Sequence, residues 1–247
     1  MRSSSSKDQQ RLYSDLAWTW PIISAPENYI REANEFWWTI RAYSRLEAKS
    51  LLDLGCGGGH YDFTWKKYFQ VTGVDNSEPM LSLARQLNPE VSYCPGDMRT
   101  VRLGQTFDAV VIADSINCML TEDDLLAAFT TAFEHLNPGG VFCTYAEDTP
   151  ERFLQNRTKF STHIHDETTL TFIENAYDPD PQDTTYENTF IFLIRRGKQQ
   201  QIETDRHLGG LFPVKTWIRL LQETGFEVTQ KAFTGEGFPM FACLKPS

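Results

Sequence analysis

Between residues 49 and 146, short apolar runs alternate with amphipathic stretches, which is the pattern of strands followed by helices. This alternation predicts a parallel sheet with helices on both faces, so we expect an α/β fold. The predicted strands are residues 50–54, 71–74, 91–94, 107–112 and 140–146, and the predicted helices are residues 60–69, 78–87 and 122–136. Ser77 and Thr121 precede two of these helices and are typical N-cap residues.

The pattern changes after residue 150. Apolar and β-branched residues at 168–177, 185–195 and 199–207 predict successive strands of an inserted antiparallel β cap. In the middle strand Phe190 and Phe192 alternate with Ile191 and Leu193, so we expect one face to pack on the main domain and the other to wall a pocket. A helix from Pro213 and strands at 226–233 and 239–245 would complete a seven-stranded sheet with one antiparallel strand.

The N-terminal region is rich in aromatic residues and is broken by Pro21 and Pro26. We expect it to form a helical lid, with Tyr13, Trp18 and Tyr29 as candidate ligand contacts. The predicted organisation is a disordered tail over 1–10, the lid over 11–47, a cofactor-binding core over 48–149, a substrate cap over 150–210, and a C-terminal segment over 211–247 that completes the core sheet.

The first predicted strand ends in a glycine-rich turn, with Asp53, Gly55, Gly57 and Gly59 at every second position. Asp75 ends the next strand, where a carboxylate can bind the hydroxyls of a ribose. The spacing is not the G-x-G-x-x-G of dinucleotide-binding proteins, nor a phosphate-binding loop that ends in Gly-Lys-Ser/Thr. An adenosyl cofactor without a pyrophosphate is therefore expected.

Further motifs follow in order: Gly96-Asp97-Met98, Phe-Asp-Ala-Val-Val at 107–111, and Leu-Asn-Pro-Gly-Gly at 136–140. From about residue 48 to 146 the chain resembles class I S-adenosylmethionine-dependent methyltransferases. The order of lid, core and cap is similar to small-molecule methyltransferases of bacterial secondary metabolism, including those that dimethylate nucleotide-linked aminosugars. The resemblance implies a Rossmann-like seven-stranded sheet and S-adenosyl-L-methionine as cofactor.

The resemblance also implies roles for individual residues. Asp75 would accept hydrogen bonds from the ribose hydroxyls, and Asp97 would accept one from the adenine amine. Asp53 would order the turn or attract the cofactor's ammonium through water. The other predicted cofactor contacts are Tyr13, Tyr29, Gly55, Cys56, Gly57, Gly59, Asn76, Met80, Gly96, Met98, Ala113, Asp114 and Ser115. Asp108 is expected to anchor a turn instead.

Two features argue against a macromolecular acceptor. Residues 113–117 lack the Asn/Asp-Pro-Pro-aromatic motif of enzymes that methylate bases or glutamine, and a net charge of −10 without a basic cluster disfavours nucleic acid. We expect a small molecule that is methylated on nitrogen or oxygen. The candidate acceptor contacts are Trp18, Asn117, Tyr145 and Arg157, and the candidates for removing a proton are His165 and His207.

The cysteines and the lack of long apolar segments indicate the environment in which the protein works. Five cysteines without CxxC spacing predict reduced thiols and no metal site, and the absence of a secretory signal or of an apolar run of ~20 residues predicts a cytosolic protein without membrane contact. A homodimer is compatible with the sequence. The alternative function is a protein that binds the cofactor without methyl transfer, as a cyclase or a regulator. A nicotinamide oxidoreductase is a more distant alternative.

Overall fold

The computed structural model describes residues 10–247 and contains a central seven-stranded sheet in the order β10-β11-β5-β4-β1-β2-β3. Its strands are β1 Ser50–Leu54, β2 Gln70–Asp75, β3 Ser92–Pro95, β4 Phe107–Ile112, β5 Leu136–Tyr145, β10 Glu227–Ala232 and β11 Pro239–Leu244. All pairs are parallel except those that β11 makes with β5 and β10. The predicted α/β sheet with one antiparallel strand is confirmed.

Helices cover both faces of this sheet. They are α2 Ile30–Tyr43, α3 Asp62–Trp65, α4 Glu78–Leu87, α5 Glu122–Glu134 and α6 Val214–Glu223. One core lies between the sheet and α5 and α6, where Phe129 and Trp217 are buried. The other lies against α2 and α3, where Phe36 and Trp65 are buried. The near-continuous apolar strands β1 and β4 supply side chains to both cores, as expected for a sheet that is covered twice.

The predicted caps are present. The amide of Met80 donates to Oγ of Ser77 at 3.2 Å, and the amide of Asp124 donates to Oγ1 of Thr121 at 3.1 Å. Two predicted boundaries are wrong. The helix predicted over 60–69 is the single turn α3, and turns lead from it to β2 at Gln70. Strand β5 begins at Leu136, which pairs with Phe107, and not after the glycines.

The cap is a sheet of four strands and not of three: β6 Arg157–His165, β7 Thr168–Tyr177, β8 Thr185–Arg196 and β9 Gln199–Gly210. Phe190 and Phe192 do pack inward, but they contact the N-terminal segment through Leu12, Leu16 and Ile23. One face of β8 therefore packs on the N-terminal segment, which corrects the expectation that one face packs directly on the main domain.

The N-terminal segment consists of short helical pieces. They are the 3-10 helices Arg11–Tyr13, Ala17–Thr19 and Pro26–Tyr29 and the one-turn helix α1 Trp20–Ile23, and a further 3-10 helix, Asp114–Cys118, follows β4. Pro21 and Pro26 lie in the first turns of their helices, as proline geometry favours. Most of the predicted disordered tail, residues 1–9, lies outside the described residues. From residue 10 onward, no helix has the length and apolar character that crossing a bilayer requires.

Candidate active site

The turn after β1 needs glycine for its backbone conformation. The φ angle is +81° at Gly55, +52° at Gly57 and +74° at Gly59, and glycine adopts these values without the steric cost of a Cβ. At Gly55 the space is also closed, because a Cβ would lie 2.1 Å from Oγ of Ser115. The amide of Gly55 donates to the carbonyl oxygen of Val74 at 2.7 Å, so the turn is tied to the neighbouring strand.

Asp75 lies at the end of β2, beside this turn. One carboxylate oxygen accepts the amide of Gly57 and the other accepts the amide of Ser77, both at 2.8 Å. Burial raises the pKa of Asp75, and the backbone hydrogen bonds oppose that shift. The two amides therefore hold the carboxylate in a fixed orientation at the wall of a cavity.

That cavity has a volume of about 370 Å³ and lies at the carboxyl ends of β1, β2, β3 and β4, where open α/β sheets bind ligands. The predicted cofactor contacts that line it are Tyr13, Tyr29, Asp53, Gly55, Cys56, Gly57, Asp75, Asn76, Met80, Gly96, Asp97, Met98, Ala113, Asp114 and Ser115. Gly59 is not among them, because its Cα faces Asn88 and Tyr93.

The cavity is acidic. Among the described residues that line it, Arg99 is the only arginine or lysine, and its guanidinium is paired with Asp97 at 2.6 Å and with Asp124 at 2.7 Å. Hydrogen bonds to Arg99 lower the pKa of both carboxyls. Asp53, Asp75 and Asp114 have no such partner at the cavity wall. A ligand with positive charge is therefore favoured over an anion.

Asp53 forms a buried acid pair with Asp62, which starts α3. Burial and the neighbouring Asp62 raise the pKa of Asp53 well above its usual range, and burial raises the pKa of Asp62 to about 6. Oδ1 of Asp62 has no other hydrogen-bond donor, so a proton retained by Asp53 satisfies it. Burial of both carboxyls therefore favours a pair that shares one proton over a pair that carries two negative charges.

Asp114 begins the 3-10 helix after β4 and faces the cavity. Burial, followed by the negative charges of Glu147 and Glu32, raises its pKa to about 8. The hydroxyl of Tyr61 donates to its Oδ1 at 3.4 Å, a long contact. Asp114 is thus the cavity carboxyl whose protonation changes close to neutral pH.

The N-terminal segment closes one side of the cavity and is anchored at two points. Oγ of Ser77 donates to the carbonyl oxygen of Tyr13 at 2.5 Å, and the amide of Leu12 donates to Asp205 of the cap at 2.7 Å. His207 also bonds to Asp205, at 2.7 Å, and its ring centroid lies 4.9 Å from that of Tyr13. His207 does not line the cavity, so it contacts the ring of Tyr13 and not a ligand.

Trp20 and His60 also line the cavity and are not among the predicted contacts. Nε1 of Trp20 donates to Nδ1 of His60 at 3.1 Å, and Nε2 of His60 lies 2.9 Å from the carbonyl oxygen of Ser24. This pattern fits a neutral imidazole with its proton on Nε2, and burial lowers the pKa of His60. Trp18, which was the expected contact, lies outside the cavity, where it packs against Arg196 at 4.7 Å.

The other expected acceptor residues are not brought to the cavity. Tyr145 is buried beneath Tyr61, with 3.3 Å between the two hydroxyls. Arg157 forms a two-pronged ion pair with the buried Asp148 at 3.0 and 2.9 Å. Asn117 has a buried side-chain oxygen and does not line the cavity.

His165 lies at the exposed end of β6 beside Asp166, and its side chain is 67% exposed. That position also removes the expected catalytic role for this histidine. No cap residue lines the cavity, so the expected pocket wall on the outer cap face is not observed in the described part of the chain. Over the same residues, no group of three or more potential metal ligands is found.

Known proteins share both the motifs and the fold. A methyltransferase domain model matches residues 51–140. The dTDP-3-amino-3,4,6-trideoxy-alpha-D-glucopyranose N,N-dimethyltransferase of Streptomyces venezuelae is 38% identical over 129 residues, which are 51% of this chain and 54% of that protein. The putative methyltransferase YqeM of Bacillus subtilis is 28% identical over 77% of this chain and 79% of its own length.

The similarity to solved structures extends over nearly the whole chain. Streptomyces venezuelae DesVI matches with a TM-score of 0.82 and 26% identity over 100% of both chains. The amino pentose methyltransferase CalS10 from Micromonospora echinaspora, solved with bound S-adenosylmethionine, matches with a TM-score of 0.78 and 27% identity over 88% of this chain and 91% of that one. The sequence match spans only about half the length of the first curated relative. Residues 51–140 thus match a methyltransferase domain, the whole fold is that of small-molecule methyltransferases, and the comparisons support S-adenosyl-L-methionine as the cofactor.

Proposed function

We propose that this protein methylates the amino nitrogen of a small-molecule acceptor and that amino sugars are its acceptor class. The observation that carries the proposal is an acidic cavity above the glycine turn whose only described arginine is already paired. Both the positively charged cofactor and an ammonium acceptor suit such a cavity. The dimethyltransferase relative from Streptomyces venezuelae acts on an amino sugar and supports the same class.

The residues present fit the cofactor. The cavity volume of about 370 Å³ is within the range of about 300–1,000 Å³ for pockets that hold small ligands. Its wall offers fixed carboxylates for hydroxyl donors and the apolar side chains of Met80 and Met98 for a flat ring. It offers no unpaired arginine or lysine for a phosphate among its described residues, and S-adenosyl-L-methionine has no phosphate.

We assign the holding roles by position. Asp75, already oriented by two amides, would accept the ribose hydroxyls, with Asn76 and Met80 alongside. Asp97 would face the adenine with the oxygen lone pairs that Arg99 leaves free. Gly55 and Gly57 would let the backbone approach the methionyl part. The Asp53–Asp62 pair would present its single negative charge behind the turn.

When bound, the cofactor supplies an electrophilic methyl group on a positively charged sulfur. The chain contributes orientation and exclusion of water. Tyr13, Trp20 and Tyr29 cover the cavity, and their anchors on Ser77 and Asp205 keep the segment in place. An amine acceptor must be neutral to react, and it needs no further activation.

The test is a direct assay of transfer. Purified protein is mixed with S-adenosyl-L-methionine and dTDP-3-amino-3,4,6-trideoxy-α-D-glucopyranose, the sugar for which the relative from Streptomyces venezuelae is named. S-adenosylhomocysteine and the methylated sugar are quantified by mass spectrometry. The matched control is the same sugar with a hydroxyl in place of the amine. We expect methylation of the amine only. Tight cofactor binding without transfer to any member of an amine and alcohol panel would favour the cofactor-binding alternative.

For the assembly state, we propose a homodimer through the outward face of the cap sheet. The strand register groups Phe160, Ile173, Ile191, Leu193 and Ile202 on this face, and Phe160 is 77% exposed. Four strands of this length present roughly 650 Å², so two copies would bury about 1,300 Å², within the range of stable interfaces. Sedimentation should give twice 28.4 kDa, and Phe160→Asp should yield the monomer.

We also propose a cytosolic setting. All five cysteines are unpaired in the structure, and three of them, Cys56, Cys143 and Cys243, are buried. Reduced thiols are typical of that compartment. Fractionation of the native host, followed by detection of the protein with an antibody, would test the location.

A further inference from the structure

None of the cofactor-holding roles proposed above uses Asp114. It lines the cavity at the end of β4, on the opposite side of the glycine turn from Asp97. The charged groups that dominate its surroundings are two carboxylates, Glu32 and Glu147. Unlike Asp97, it has no arginine partner among residues 10–247. A carboxylate in this position is suited to receive a cation or a proton.

A hydrogen-bonded path leads away from Asp114. The hydroxyl of Tyr61 lies 3.4 Å from Oδ1 of Asp114 and 2.8 Å from Oε2 of Glu32. Tyr61 is fixed by stacking on Trp65 at 5.1 Å, and Glu32 on α2 is only half-buried. A single hydroxyl therefore connects a carboxyl in the cavity with a carboxyl that water reaches.

N-methylation needs such a path, because each methyl transfer to an amine releases one proton. We propose that Asp114 takes the proton from the acceptor's ammonium and that Tyr61 passes it to Glu32. In the first step one N–H bond breaks, one O–H bond forms on Asp114, and the nitrogen keeps its electron pair. In the second step Tyr61 receives this proton while giving its own to Glu32. This inference rests on the proposed N-methyltransferase function and adds that the acceptor enters as a cation.

The groups around the path are consistent with it. Tyr29 from the lid and Tyr145 from β5 face Tyr61, and burial raises the pKa of Tyr29. Glu147 after β5 faces Asp114, with Arg157 and Lys159 of the cap partly offsetting its charge. Across the cavity, Cys118, Asp75 and Tyr13 stand near Asp114, and burial raises the pKa of the thiol and of the phenol. None of these groups is a cation in contact with Asp114.

The first experiment measures Asp114 without turnover. Protein labelled with ¹³C at the aspartate carboxyls is titrated by NMR, and the Asp114 signal is assigned with Asp114→Asn. We expect an apparent pKa near 8, and a value at the ordinary 3.8 overturns the proposal. Glu32→Gln should lower this pKa because a negative charge is lost. Tyr61→Phe should raise it because a donor is lost. Tyr68→Phe, which removes an exposed hydroxyl bonded to Asn34, should leave it unchanged.

The second experiment uses methyl transfer to the amino sugar. Asp114→Asn should lose about 10²-fold in kcat/KM at pH 8, where about half of Asp114 is ionised and able to accept a proton. The deficit should shrink as the pH rises above the pKa of the acceptor amine. Tyr61→Phe and Glu32→Gln should lower kcat more than they change KM. If the wild type is active and Asp114→Asn retains its rate and pH profile, the relay is wrong although the proposed function stands. If the wild type transfers no methyl group to any amine, the proposed function fails, and the relay fails with it.

Discussion

The Asp75 carboxylate offers the sharpest test of the cavity, through the substitution Asp75→Asn. The side chain keeps its shape but loses its charge and turns an amide group towards one of two backbone donors, Gly57 or Ser77. If Asp75 also accepts the ribose hydroxyls, the change removes one or two hydrogen bonds to a charged group. Such bonds contribute about 1.5–3 kcal/mol each, so a loss of about 2–4 kcal/mol weakens cofactor binding roughly 30- to 1,000-fold.

The chain supplies a matched control in Asp108→Asn. Asp108 also accepts two backbone amides, from Lys49 at 2.9 Å and from Ser50 at 3.0 Å, but it lies at the start of β4, at the opposite edge of the sheet. Each variant loses one hydrogen-bond acceptor, towards Gly57 or Ser77 in Asp75→Asn and towards Asn137 in Asp108→Asn. The two variants should therefore lose similar stability in a thermal melt. Only Asp75→Asn should lose affinity in calorimetry with S-adenosyl-L-homocysteine. If it binds within threefold of the wild type, or if Asp108→Asn loses as much affinity, the assignment of Asp75 is wrong.

Three further outcomes follow from the structure. Asp53 has a raised pKa, so the folded chain keeps a proton that the unfolded chain releases, and stability falls as pH rises from the ordinary aspartate range towards the folded pKa. Asp53→Asn can still donate to Asp62 and should therefore melt above the wild type at pH 8, with a smaller difference at pH 5. Arg157→Gln leaves the buried carboxylate of Asp148 unpaired and should cost about 3 kcal/mol in denaturant unfolding, while the Kd for cofactor stays unchanged. His165→Ala should keep kcat/KM within about twofold, because an exposed side chain away from special contacts contributes little.

Most of the core sheet was predictable because its strands are apolar on both sides and are bounded by clear turn and cap residues. The strand at 50–54 and the helix at 78–87 have the predicted limits. Strand β6 was missed because only Phe160 and Ile164 mark its outward face and the rest is polar, which is typical of a loop. Strand β6 forms because it pairs along its length with β7, and a local sequence pattern does not reveal such a tertiary contact.

Site residues that lie in sequence motifs were predictable. Site residues whose positions depend on tertiary packing were not. The glycine turn, Asp75 and Asp97 lie in sequence patterns tied to strand ends. Trp20 and Trp18 are two residues apart in a segment of single-turn helices, where periodicity gives no direction to a side chain. His207 lies near the end of β9 and contacts Tyr13 instead of lining the cavity, because the cap packs on the N-terminal segment.

The strand order also determines how the acidic residues are arranged along the cavity. From β3 through β2 and β1 to β4, neighbouring strand ends carry Asp97, Asp75, Gly55 and Asp114 in series. At about 4.8 Å between strands, this row spans roughly 14 Å. Charge changes along it, because Asp97 is neutralised by Arg99 at one end and Asp114 is uncompensated at the other. If the row holds the cofactor, the β3 end controls affinity and the β4 end controls proton movement. Substitutions at Asp97 should therefore change Kd with little effect on the pH profile, and substitutions at Asp114 should do the reverse.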